Sequence, residues 1–196
     1  MEIPTLIRQP GRRAWGGLAL VVLLWPLRLP AATLAEMLKD PQMNPKRFAS
    51  HFGDFAYEYH REIQPPEVFL TYKRGDCDDY AVLADRVLKP RGFGTRLIQV
   101  KLAGQIDHAV CYVNEARAYL DYNNRAVFFT LARSGASLRT IASKVADSLE
   151  ANWTSAFEFE FIGGKKELVA TVVKTAPPES DPAPGQKAGN AVKVDF

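Results

Sequence analysis

The sequence predicts an α+β domain. From residue 33 the apolar residues first recur at helical spacing and then alternate, and Gly163-Gly164 between two alternating runs marks a β-hairpin. Helices therefore come first and antiparallel strands follow. A chain of 196 residues fits one such domain with appendages.

The first 32 residues read as an export signal. Arg8, Arg12 and Arg13 form a basic start, Ala14 to Leu27 is an apolar run of 14 residues, and Pro30-Ala31-Ala32 supplies small residues for cleavage. That run is short of the ~20 residues needed to span a bilayer. An uncleaved membrane anchor is the alternative. Cleavage would leave a periplasmic or secreted protein with no membrane attachment. The overall charge of +3 comes from this segment, which holds Arg8, Arg12, Arg13 and Arg28 against Glu2. A remainder of zero net charge has no footprint for nucleic acid.

Thr33 to Lys39 reads as a short helix stopped by Pro41. Asn44-Pro45 is a helix start, a cap residue with Pro at the first helical position. Phe48, Phe52, Phe55 and Tyr59 follow at steps of four, three and four, and predict one face of a helix that also carries His51 and His60. Gln64-Pro65-Pro66 ends it, and an extended linker is expected up to Arg74. Asp76 is a cap-type residue, Asp78 and Asp79 put charge where the helix dipole favours it, and Val82, Leu83, Val87 and Leu88 continue the stripe to Pro90. Strands are expected over 96–102, 106–113, 118–123 and 126–131. Ser137 caps a helix with Leu138, Ile141, Val145 and Leu149 on one side. Phe157, Phe159 and Phe161 alternate with Glu158 and Glu160, and Leu168 to Val173 returns after the glycine pair. Residues 176–196 are rich in Pro, Gly and charge and read as a disordered tail, which bounds the domain at 33–175.

Chemistry concentrates at Cys77. It falls in the first turn of a helix, where unpaired N–H groups and the dipole favour a thiolate. A free Cys is also a common small apolar filler. A thiol nucleophile needs a base and a group to hold the base. His108 lies 31 residues further on, on an expected strand, and Asp121 lies on the next. A turn centred between Glu115 and Ala116 pairs Val113 with Ala118 and makes Asp121 a same-face diagonal neighbour of His108. Asn123 shares that face and could orient the ring instead. Cys111, three residues from His108, points to the opposite side of the strand, so the two thiols are expected to stay unbridged.

Arg74-Gly75-Asp76-Cys77-Asp78-Asp79-Tyr80-Ala81, His108-Ala109-Val110 and Leu120-Asp121 together resemble the transglutaminase-like superfamily, most closely its bacterial cysteine peptidases, over residues 45–175. The resemblance implies a papain-like or transglutaminase-like fold, with the catalytic helix packed on the antiparallel sheet. It also implies Cys77 as nucleophile, His108 as base and Asp121 as orienter. The expected activity is that of an exported, monomeric cysteine hydrolase acting on a protein or peptide through a thioester. An amine acceptor would make it an acyl transferase instead, and a binding module on the same fold is the non-enzymatic alternative. The Trp that supports the oxyanion in animal transglutaminases has no counterpart between the signal and Trp153. The Cys77 N–H is one donor, and Gln64 or Tyr72 is the candidate second. No cofactor is required. Some relatives bind calcium through acidic residues beside the Cys, which makes Asp76, Asp78 and Asp79 candidates, with capping as the competing role.

Overall fold

A computed structural model describes residues 32–124 and 131–174. The elements are α1 (Leu34–Lys39), α2 (Pro45–Ala49), β1 (Ala56–Tyr57), α3 (Pro66–Tyr72), β2 (Arg74–Gly75), α4 (Cys77–Leu88), β3 (Thr95–Leu102), β4 (His108–Val113), β5 (Ala118–Leu120), β6 (Leu131–Arg133), α5 (Leu138–Ser148), β7 (Trp153–Ile162) and β8 (Lys165–Val173). The expected α+β class is what the chain forms. Among the described residues, no helix is long and apolar enough to cross a membrane.

Six strands form one antiparallel sheet in the order β6-β5-β4-β3-β7-β8. Both faces are covered. Leu97, Ala109, Cys111, Val113, Leu120 and Phe159 share a core with α4 and the N-terminal helices. Ile98, Val100, Val110, Tyr112 and Tyr119 share another with Ile141, Ala142 and Val145 of α5. A strand buried on both sides reads as a continuous apolar run, and all six residues of β4 are buried. The expected register holds, with Val113 opposite Ala118.

The helix expected to run through Tyr59 does not. The α-helix stops at Ala49, a 3-10 turn covers Ser50–Phe52, and the chain leaves it for β1. Phe48, Phe52 and Phe55 are buried as their spacing suggested, but Tyr59 is exposed. Burial of the first three anchors both turn and strand, so spacing alone could not fix where the helix ended. The Ser50 hydroxyl donates back to the Arg47 carbonyl at that end.

The linker expected after Pro66 is instead α3. Pro66 sits in its first turn, and Phe69 and Leu70 are buried. Lys73 closes it in a left-handed conformation (φ 52°), and the chain turns directly into β2. β5 ends at Leu120, three residues before the expected end, because Tyr122–Asn124 form a 3-10 turn. The strand expected over 126–131 lies outside the described residues except for Leu131, which opens β6. The export segment and the tail from 176 also lie outside them.

Candidate active site

α4 begins at Cys77 because Asp76 caps it. Asp76 Oδ1 accepts the N–H groups of Asp78 (3.0 Å) and Asp79 (3.4 Å), and Asp79 Oδ2 accepts the Asp76 N–H in return (3.1 Å). This reciprocal capping box satisfies the first-turn donors and leaves the Cys77 N–H outside it. The cap is itself held by the chain before it. The His60 N–H donates to Asp76 Oδ2 (2.9 Å), while Gln64 donates from its backbone (2.7 Å) and its amide (2.8 Å) to the two oxygens of Asp79. β1 and β2 pair in parallel, with Tyr57 opposite Gly75.

His108 opens β4, opposite Val100, and is buried. Its Nε2 is 2.8 Å from Asp121 Oδ1. Asp121 is fully buried and also accepts from the Asn123 N–H (2.9 Å) and the Asn124 amide (3.4 Å). Nε2 is engaged by Asp121, and Cys77 stands close enough to the ring to bear on its protonation. Burial pulls the His108 pKa down, but Asp121 and then Cys77 outweigh it, and the value rises from 6.5 to about 10. The imidazolium is therefore the favoured form at neutral pH.

A histidine whose folded-state pKa is raised adds stability that is complete below its unfolded value and fades as pH climbs through the folded one. The denaturant midpoint of wild type should exceed that of His108→Gln most at pH 6, and the gap should shrink towards pH 10. A gap that widens with pH would contradict a charged His108.

Cys111 is fully buried beneath α4, where burial and Asp85 raise its thiol pKa well above the ordinary value. Asp85 lies eight residues along the helix from Cys77, about 12 Å. Both cysteines are free.

The oxyanion candidates are placed otherwise than expected. Gln64 uses its amide on Asp79 and on the Arg74 carbonyl (3.1 Å), so it steadies the helix start. Tyr72 is 69% exposed and lines a separate cavity of about 480 Å³ with Glu58, His60, Gln64 and Arg74. Asn123 is exposed and reaches Asp121 through its backbone, whereas Asn124 supplies the side-chain contact. Tyr57 was not foreseen. It is 50% exposed, its ring stands 6.4 Å from that of Tyr122, and burial followed by nearby Cys77 and Asp76 raises its hydroxyl pKa. Its signal was hidden because Tyr57 fell inside a helix that does not form.

The three acidic calcium candidates do not converge. Asp76 and Asp79 are occupied by the capping box, and Asp78 Oδ2 pairs with Lys166 Nζ at 2.9 Å. Among the described residues, no group of three His, Cys, Asp or Glu side chains is placed to share a metal ion.

Neither protein-family models nor curated proteins give a match to the chain.

Proposed function

We propose that the chain is a cysteine hydrolase of the transglutaminase-like kind, exported and acting on peptide amides. One observation carries the reading: a buried imidazole bonded through Nε2 to Asp121, with Cys77 at a capped helix start close enough to bear on the ring's protonation. Burial of both polar partners is costly unless they are paired, and groups with perturbed pKa values cluster at functional sites.

In this reading the Cys77 sulfur attacks the amide carbon. The carbonyl oxygen gathers negative charge against the Cys77 N–H, with the Tyr57 hydroxyl replacing Gln64 and Tyr72 as candidate second donor. The C–N bond then breaks, His108 gives its proton to the departing amine, and a thioester remains. Water, deprotonated by His108, attacks the thioester and releases the acid and the thiol. An amine in place of water would give acyl transfer. Asp121 holds the ring and stabilises its charge throughout.

A peptide-based electrophile tests the reading. It should label Cys77 and spare Cys111 in the native protein, and unfolding without reductant should expose two free thiols. Turnover of a mixed peptide library should appear with the same pH dependence as labelling. Equal labelling of both thiols would refute a selectively activated Cys77. Peptide binding without turnover would make the chain a binding module.

A further inference from the structure

A thiol set among Asp76, Asp78 and Asp79 invites a counter-cation, and the chain supplies one from its far end. Lys166 lies on the edge strand β8, where it opposes Phe161 just beyond the Gly163-Gly164 turn. Its Nζ is 2.9 Å from Asp78 Oδ2 and 2.7 Å from Gln99 Oε1, and it stands 4.9 Å from the Phe159 ring centroid. Gln99 in turn donates its amide to Asp107 Oδ2 at 3.3 Å, and Lys101 Nζ approaches the same oxygen at 3.4 Å. Asp78 directly follows Cys77, and Asp107 directly precedes His108. Two side chains, Lys166 and Gln99, thus link the residue beside the thiol to the residue beside the imidazole.

We propose that Lys166 is a positioning residue. Through Asp78 on one side and through Gln99 and Asp107 on the other, it holds the start of α4 in register with the start of β4. In doing so it sets the approach of Cys77 to His108. The proposal rests on the hydrolase reading for its importance to turnover, though not for its geometry. The charged and titratable groups around the thiol are Asp76 capping α4, Asp78 and Asp79 on α4, Tyr57 on β1, His108 on β4, Asp121 after β5 and Lys166 on β8. Among the described residues, Lys166 is the Lys or Arg paired with any of those three carboxylates.

The Lys166 and Asp78 side chains are 29% and 26% exposed, and pairs so open to water add little to stability. Small displacements of reacting groups, by contrast, cost about 100-fold in rate per ångström. The expected signature is therefore kinetic. Lys166→Met should slow alkylation of Cys77 by iodoacetamide about tenfold and lower kcat in proportion. KM and Tm should change little. Lys166→Arg should recover most of the rate. Gln99→Met, which breaks the link without altering charge, should act in the same direction.

Wild-type alkylation rates in both Lys166→Met and Gln99→Met would overturn the proposal, whatever the turnover. Slowed alkylation with a lowered Tm and no rescue by Arg would also overturn it, in favour of a purely structural role. Because alkylation needs no substrate, slowed alkylation in a chain that turns over no peptide would uphold the positioning role and defeat the hydrolase reading instead.

Discussion

Cys77→Ser and His108→Ala should each abolish measurable peptide turnover, a loss of about 3–6 kcal/mol in transition-state stabilisation. The serine hydroxyl is too weak an acid for an imidazole poised for a thiol. The alanine removes the proton carrier, and of the other described histidines His51 lies in the 3-10 turn after α2, while His60 Nε2 faces Glu58 Oε1 at 3.7 Å. The double variant should be scarcely worse than either single one, because nucleophile and base act as one unit. Asp121→Ala should retain more activity, since Asp121 acts through the ring rather than on substrate. Initial rates across this set on a peptide that wild type cleaves give the answer. Wild-type rates for Cys77→Ser would end the nucleophile assignment.

The second large effect concerns folding. A Cβ placed on Gly75 would lie 2.5 Å from Asp79 Oδ2 and 2.6 Å from the Phe69 ring, and Phe69 is fully buried. The ring cannot move without opening the aromatic cluster it shares with Phe52, Phe55 and Tyr122. The carboxylate cannot move without releasing Gln64 and the Asp76 N–H. Gly75→Ala should therefore cost about 3 kcal/mol, at the upper end of ordinary overpacking. It should also reduce Cys77 alkylation, because the displaced oxygen belongs to the cap. Urea melts read the first effect and iodoacetamide kinetics the second. A Gly75→Ala protein with wild-type stability would show that this close approach relaxes freely.

The sequence made the second half of the chain legible and much of the first half ambiguous. β7, β8 and their glycine turn were readable because one strand face alternates without interruption and Gly163 and Gly164 take positive φ. The pairing of Val113 with Ala118 followed from the length of a polar turn, and with it the approach of Asp121 to His108. Between Ser50 and Lys73 the same reasoning failed. There the aromatic side chains are buried by tertiary contacts rather than by one continuous helix, so periodicity carried the wrong message. Pro66 followed by Glu67, Val68, Phe69 and Leu70 did hold a usable helix signal, Pro in the first turn, which was outweighed by reading the two prolines as a break. Lys166 was out of reach altogether. It lies 88 residues from Asp78, and nothing local distinguishes it from neighbouring Lys165.

That separation has a temporal side. As the chain emerges from the ribosome, the Cys77 segment appears well before His108 and Asp121, and Lys166 emerges last of the four. Antiparallel pairings between distant segments are among the later events in folding. Until β4 and β5 pair, the thiol has no imidazole beside it. Until the β7–β8 hairpin docks, the helix start lacks its partner. A nascent or unfolded chain would therefore carry Cys77 as an ordinary thiol and acquire its chemistry only on completion. On the proposed function, such latency would keep the hydrolase inert until its fold is complete.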